Sequence, residues 1–292
     1  MDELDFSAPG SKPAPKPAAP AHAAPAPVPR TVYNPQVALQ FFRGGGKMEE
    51  VAGGKTFFNE GDKSSGLFSK GDRMFLLLEG EIGLMAKGQF VGLVRPGDIF
   101  GEMALLAKAP RAATAMAKVA CKALAMGEKE FSTALEKTPE FALMMMTVMV
   151  QRLRATIARK GGMPTPDSVA ERPAVFNKKE LADLAREIEP MSSAAGKVIM
   201  NAGATGIFMY IVQEGRVAIS INDKVIERVG SGGVFGEMAM VDNSSRSASA
   251  VAEVDSSLLM IKRDDFLALV RAKPEFGASI LRTIAERIRA MG

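Results

Sequence analysis

The chain repeats itself. Phe100-Gly101-Glu102-Met103-Ala104 returns as Phe235-Gly236-Glu237-Met238-Ala239, and Arg111 returns as Arg246, each pair 135 positions apart. The same offset carries Gly80 onto Gly215, Pro139-Glu140-Phe141 onto Pro274-Glu275-Phe276, and Arg152 onto Arg287. No insertion or deletion interrupts residues 75–157 against 210–292, and about a quarter of those aligned positions are identical. Upstream, the glycines at 54 and 61 match those at 196 and 203 with an offset of 142. The first copy therefore carries seven extra residues (142 − 135), assigned to the loop around Lys63-Ser64-Ser65-Gly66. Such a chain is expected to fold as two similar domains. Its 292 residues, 47% of them hydrophobic, suffice for two ordinary cores.

The most faithfully repeated stretch carries the chemistry. In both copies the arginine follows the glutamate by nine positions (111 − 102 and 246 − 237). A glycine before the glutamate permits a tight turn and close approach of a ligand to the backbone. Glu102-Met103-Ala104-Leu105-Leu106-Ala107-Lys108 favours a helix, but Pro110 limits it to a turn or two. The free N–H groups at the start of such a helix attract an anion. The arginine, on the extended segment that follows, suits phosphate oxygens. An ionised glutamate only accepts hydrogen bonds, so it can take a hydroxyl proton. A carboxylate for a hydroxyl and a guanidinium for a phosphate describe a small phosphorylated sugar. The plainer alternative is a Glu–Arg ion pair that merely holds the loop together.

Composition removes other classes. The single cysteine, Cys121, excludes an internal disulfide and a cysteine-rich metal site, and its apolar surroundings suggest a core position. The single histidine, His22, lies in a proline-rich tail, which leaves no histidine-based triad or metal centre. No enzyme constellation remains, and neither a cofactor nor a metal is expected. A formal charge of +4 is only a weak pull toward nucleic acid. No apolar run reaches the roughly 18 residues that span a bilayer. The acidic start, Met1-Asp2-Glu3-Leu4-Asp5-Phe6, does not read as a signal peptide, so a cytoplasmic location is expected.

Taken in order, residues 1–34 read as a disordered Pro/Ala-rich tail and 35–160 as the first domain. Residues 161–176 read as a linker and 177–292 as the second domain. Pro35 to Phe42 predicts a short helix ended by Gly44-Gly45-Gly46. Short strands are predicted at Lys55–Phe58, Met74–Leu78, Glu81–Ala86, Phe90–Val94, Ala115–Val119 and Lys122–Met126. Helical period begins at Glu128 and continues, with Thr138 and Pro139 at a helix start, to about Lys160. The methionine-rich run Leu143 to Val150 reads as core packing, with an adaptable partner surface as the sharper alternative. Arg152, Arg154, Arg159 and Lys160 read as dipole-complementing charges on a solvated face. Asn177 is placed to cap the first helix of the second copy. Many short strands followed by helices give an α+β class.

Phe-Gly-Glu-x-Ala followed by Arg-x-Ala closely resembles the phosphate-binding cassette of cyclic-nucleotide-binding domains. That family includes the tandem domains of regulatory subunits of cAMP-dependent protein kinase and the sensor domain of catabolite activator proteins. The resemblance covers about residues 35–160 and 177–292. It implies two eight-stranded β-rolls of jelly-roll type, each flanked by helices. It further implies that Glu102 and Glu237 take the ribose 2′-hydroxyl and that Arg111 and Arg246 take the cyclic phosphate. The ligand-binding residues are then Gly101, Glu102, Met103, Ala104, Arg111, Ala112 and Ala113 in one copy. In the other they are Gly236, Glu237, Met238, Ala239, Arg246, Ser247 and Ala248. The second copy departs at Ser245, which stands where the first has Pro110.

The resemblance implies a non-enzymatic receptor for cyclic AMP, with cyclic GMP as a further ligand, that signals to an unidentified protein partner. The alternative is a scaffold whose folds bind no nucleotide, or one that binds cyclic GMP or a cyclic dinucleotide. The last helical pattern runs from Phe276 to Met291, so no DNA-reading module and no DNA partner are expected. Only Arg30 precedes the first domain where the kinase subunits carry a paired-arginine inhibitor segment, so kinase inhibition is not carried over. A hydroxyl directly after the arginine can accompany guanine recognition in the family. Ala112 thus points to cyclic AMP at the first site and Ser247 to weaker discrimination at the second.

Overall fold

Asn34 caps the first helix: its side chain accepts from the backbone N–H groups of Gln36 and Val37, and Pro35 occupies the turn that needs no N–H. The computed structural model describes residues 33–63, 73–159, 169–242 and 244–291. The first half runs α1 (Pro35–Arg43), β1 (Lys47–Val51), β2 (Thr56–Phe58), β3 (Met74–Glu79), β4 (Ile82–Ala86), β5 (Gln89–Val94) and β6 (Ile99–Phe100). It continues with α2 (Glu102–Ala107), β7 (Thr114–Ala117), β8 (Cys121–Met126), α3 (Glu128–Lys137) and α4 (Glu140–Arg159). The second half runs β9 (Ala170–Arg172), α5 (Lys178–Leu184), β10 (Pro190–Ser193), β11 (Val198–Met200), β12 (Phe208–Glu214), β13 (Arg216–Ile221), β14 (Lys224–Gly230) and β15 (Val234–Phe235). It ends with α6 (Glu237–Asp242), β16 (Ser249–Ala252), β17 (Ser256–Lys262), α7 (Arg263–Ala272) and α8 (Pro274–Met291).

In the first half the strand orders are β1-β8-β3-β6 and β2-β7-β4-β5. Alternating side chains of both sheets, Phe75 and Leu77 from one and Ile82 and Ala115 from the other, fill a common interior. The second half repeats the plan as β10-β17-β12-β15 and β11-β16-β13-β14, and then adds β9. That strand pairs in parallel with β14, in the register Ala170↔Glu227, Glu171↔Arg228 and Arg172↔Val229. The fold is thus α+β, with two eight-stranded rolls and a ninth strand on the second.

A third core lies among the helices and belongs to both halves. Phe41, Phe141 and Met145 of the first half share it with Met240, Phe266, Phe276 and Leu281 of the second. Phe41 and Phe141 stack with ring centroids 3.6 Å apart. From Phe141 to Val150 every residue except Val148 is buried, so the methionine-rich run is core. Helix α4 lies along α8.

Several expectations need refinement or fall outside the description. Residues 161–176 are not linker throughout, because β9 joins the second roll and Phe176 is buried against Phe276, ring centroids 5.4 Å apart. Strands β1 and β6 were not predicted: β1 reads Lys-Met-Glu-Glu-Val without apolar alternation, and β6 is two residues long. Arg152 and Arg154 keep partly solvated side chains, as expected, but each is also paired with a carboxylate, as described below. Thr138 serves both helices: it is the C-cap of α3, its backbone N–H donating to Ala134 O, and its carbonyl accepts from Phe141 N at the entry to α4. The proline-rich tail through Val32 and the extra loop at Ser64–Gly66 lie outside the described residues.

Candidate cyclic-nucleotide site

Gly101 and Gly236 open the two cassettes with φ of +74° and +76°, the left-handed region in which a side chain is strained. A Cβ on either would also sit 2.8 Å from Nη1 of the following arginine, Arg111 or Arg246. Helices α2 and α6 follow, six residues each. Lys108 ends α2 in the left-handed conformation, and the chain passes through Pro110 to the arginine. Arg111 donates to Gly101 O at 2.7 Å, and Arg246 donates to Gly236 O at 2.6 Å and Phe208 O at 2.7 Å. Each arginine thereby closes its own loop.

Both arginines are buried, 8% exposed for Arg111 and 6% for Arg246, on the aromatic lining of the rolls. The Arg111 guanidinium lies 4.1 Å from the centroid of Phe58, whose ring stacks on Phe75 and Phe100. Arg246 lies 5.7 Å from the centroid of Tyr210. Burial lowers the Arg246 pKa from its ordinary value, against the opposing pull of Tyr210 and Glu237. A guanidinium has five N–H donors, so it can bind the loop and an anion at once.

The glutamates are equally buried, 5% exposed for Glu102 and 3% for Glu237. Neither closes the loop against the cassette arginine in the manner of the plainer alternative. Glu102 is engaged by Arg152 of α4, and Glu237 by Arg287 of α8. The charge of Glu102 raises the Arg152 pKa, outweighing the effect of burial. Burial works to raise the Glu237 pKa, but the charges of Arg287 and Arg172 prevail and hold it below the usual carboxylate range.

The second cassette borders a small cleft of about 50 Å³. Gly236, Glu237, Met238, Ala239, Arg246, Ser247 and Ala248, all the residues picked from the sequence of this copy, line it together. So do Arg172, Arg287, Met200 and Ile219, which the motif did not reveal. Arg287 was visible only as a repeat partner of Arg152. Arg172, on β9, is buried, donates to Val234 O and pairs with Glu227. In the first cassette, Glu102, Ala104 and Arg111 are buried and Gly101, Met103 and Ala113 half-buried, while Ala112 is exposed. Chemically, each cassette presents a buried cation and a buried anion on a loop that turns at a left-handed glycine.

The family profile described as "cyclic nucleotide-binding domain" matches this chain twice, at residues 48–138 and 190–273. A cyclic nucleotide-gated potassium channel of Rhizobium etli is 36% identical over 107 residues, 37% of this chain and 30% of that protein. A cyclic AMP receptor protein of Thermus thermophilus is 36% identical over 99 residues, 32% of this chain and 46% of that protein. A cAMP-dependent protein kinase regulatory subunit of Aspergillus niger is 30% identical over 185 residues, 63% of this chain and 41% of that protein. The chain thus spans less than half the length of each of these relatives. No helix among the described residues is long and apolar enough to cross a membrane.

Proposed function

This chain belongs to the cyclic nucleotide-binding domain family, and from that premise we propose that it is a non-enzymatic receptor with two sites for a 3′,5′-cyclic nucleotide. The observation that carries the reading is Arg246. It is a buried cation that donates to two backbone carbonyls and lies beside Tyr210, while the nearby carboxylate of Glu237 is held by Arg287. A buried charge of this kind is costly unless an anion completes it. The cyclic phosphate is that anion, taken by Arg111 at one site and Arg246 at the other, and the ribose hydroxyl goes to Glu102 or Glu237. Cyclic AMP is the preferred ligand of the first site, where Ala112 offers guanine's amine nothing. The second site discriminates less, because the hydroxyl of Ser247 can meet that amine.

The output follows from the Glu102–Arg152 and Glu237–Arg287 pairs. They join each cassette to a helix of the shared core. A ligand that takes the glutamate competes with the helix arginine and shifts the balance between two helix arrangements. The segment 128–159 then carries the signal to a protein partner.

The test is calorimetric titration of the whole chain with cyclic AMP, cyclic GMP and a cyclic dinucleotide. Two equivalents of cyclic AMP are expected to bind, with Arg111→Ala and Arg246→Ala each removing one. Absence of binding by all three ligands would refute the reading in favour of a scaffold. Because the helical core is common to both halves, the sites are separated by these substitutions and not by truncation.

A further inference from the structure

Each C-terminal helix also touches the cassette of the other half. On α4, Arg152 holds Glu102 of its own cassette, and Arg154, two positions on, reaches the second cassette. Arg154 Nε donates to Asp242 Oδ2 at 2.8 Å and Nη1 to Ser247 Oγ at 2.8 Å, and Nη2 donates to Ser244 Oγ. Asp242 also accepts from Ser244 Oγ at 2.6 Å and from Ser244 N at 3.1 Å, so the guanidinium closes a network across the loop. On α8 the pattern returns 135 positions later: Arg287 holds its own Glu237, and Arg289 Nη1 donates to Pro110 O of the first cassette at 3.1 Å.

The spacing explains the crossing. Residues two apart on an α-helix point about 200° from one another, so a pair at that spacing addresses two opposite neighbours. A helix with one cassette on each side presents one arginine to each. The repeat supplies this pair twice, as Arg152/Arg154 and Arg287/Arg289.

We propose that Arg154 and Arg289 are positioning residues that couple the two nucleotide sites, each fixing the cassette of the opposite half. Arg154 is the stronger of the two, since it joins a carboxylate and two hydroxyls, one of them on Ser247 directly after the phosphate arginine. Arg289 meets a single backbone carbonyl. The coupling rests on the reading of both cassettes as nucleotide sites; the clamp itself does not.

The first measurement needs no ligand. Amide hydrogen exchange in the whole, ligand-free chain should quicken about tenfold or more at 244–249 in Arg154→Ala, with residues 108–114 unchanged. Arg154→Lys, which keeps the charge but not the fork, should fall between. Asp242→Asn should reproduce the effect from the other side of the contact, which also serves if Arg154→Ala does not fold. The second measurement uses cyclic AMP. The single-site constants come from Arg246→Ala and Arg111→Ala, and the product of the two wild-type binding constants divided by theirs gives the coupling factor. That factor is expected to depart from one by about 5- to 150-fold and to return to within about twofold of one in Arg154→Ala. A coupling factor of one in the unaltered chain, or one that Arg154→Ala leaves unchanged, overturns the proposal. If no cyclic nucleotide binds, the receptor reading fails and the exchange result alone decides the clamp: quickened exchange at 244–249 upholds it and unchanged exchange removes it.

Discussion

Replacing Gly206 by alanine should disable the second site without removing any group assigned to the ligand, by displacing Arg246. Gly206 lies outside the repeated motif, just before β12. A Cβ there would sit 2.4 Å from Arg246 Nε, 2.5 Å from its Cζ and 2.7 Å from Ala239 Cβ. Ordinary carbon contacts are about 3.5–4.0 Å, so the guanidinium would have to retreat by roughly 1 Å. Its bonds to Gly236 O and Phe208 O, now 2.6 and 2.7 Å, would then stretch beyond hydrogen-bonding range. A displaced guanidinium forfeits its aim at the phosphate, a charge-assisted contact of about 1.5–3 kcal/mol, or ten- to a hundredfold in affinity. Overpacking of this kind adds a stability loss of about 1–3 kcal/mol. The assay is a cyclic AMP titration in an Arg111→Ala background, where only the second site reports, with circular dichroism to confirm folding. Gly230→Ala is the control, because a Cβ at Gly230 meets nothing within 4 Å. A folded Gly206→Ala chain whose second site keeps its affinity within about twofold would refute the argument that the position of Arg246 sets binding.

Four further outcomes are expected. Phe41→Ala, which removes a ring stacked on Phe141 in the shared core, should cost about 3–5 kcal/mol by urea denaturation. Because the folded pKa of Glu237 is depressed, its contribution is fully present above the unfolded carboxylate pKa of about 4.3 and is lost as pH falls through the lower folded value. Thermal stability should therefore drop below about pH 4, and Glu237→Gln should flatten that part of the profile. Arg172→Ala should weaken the second site and spare the first in single-site titrations, since it removes a lining cation and leaves Glu227 without that partner. Ser247→Ala should lower cyclic GMP affinity at the second site while its cyclic AMP affinity stays within about twofold, as read by calorimetry in the Arg111→Ala background.

The repeat made most of the fold legible. Strands such as Met74–Glu79 and Ile82–Ala86 are short apolar runs bounded by turn residues, and that bounding makes them legible. Strand β1 hid because an edge strand with Lys47, Glu49 and Glu50 carries no apolar face, and it is held by pairing with β8. Strand β9 hid for a related reason: three residues, Ala-Glu-Arg, after a proline-rich stretch carry no strand signal, and the free edge of β14 recruits them. The cassettes could be read residue by residue because glycine, glutamate and arginine each serve a local need. Their partners could not. Arg152, Arg154, Arg172 and Arg287 reach the sites from distant helices and a distant strand, and a run of arginines at a helix end looks the same whether it meets water or a buried carboxylate.

That last difference decides how the two rolls can act. Had Arg152 and Arg154 met only water, each roll with its cassette would be an independent module, and the 135-residue repeat would be two beads on a string. Instead, arginines two positions apart commit α4, and again α8, to both cassettes. A helix can serve two opposite neighbours only if it lies between them. Packing the two helices together between the rolls is what buries Phe141 and Met145 against residues of the second half in a single core. A tightly packed core of that kind does not deform one side at a time, so a shift of α4 at the first cassette displaces groups that hold the second. If the cassettes are the nucleotide sites proposed above, the duplication gives them one helical support, and occupancy of either should be felt at the other.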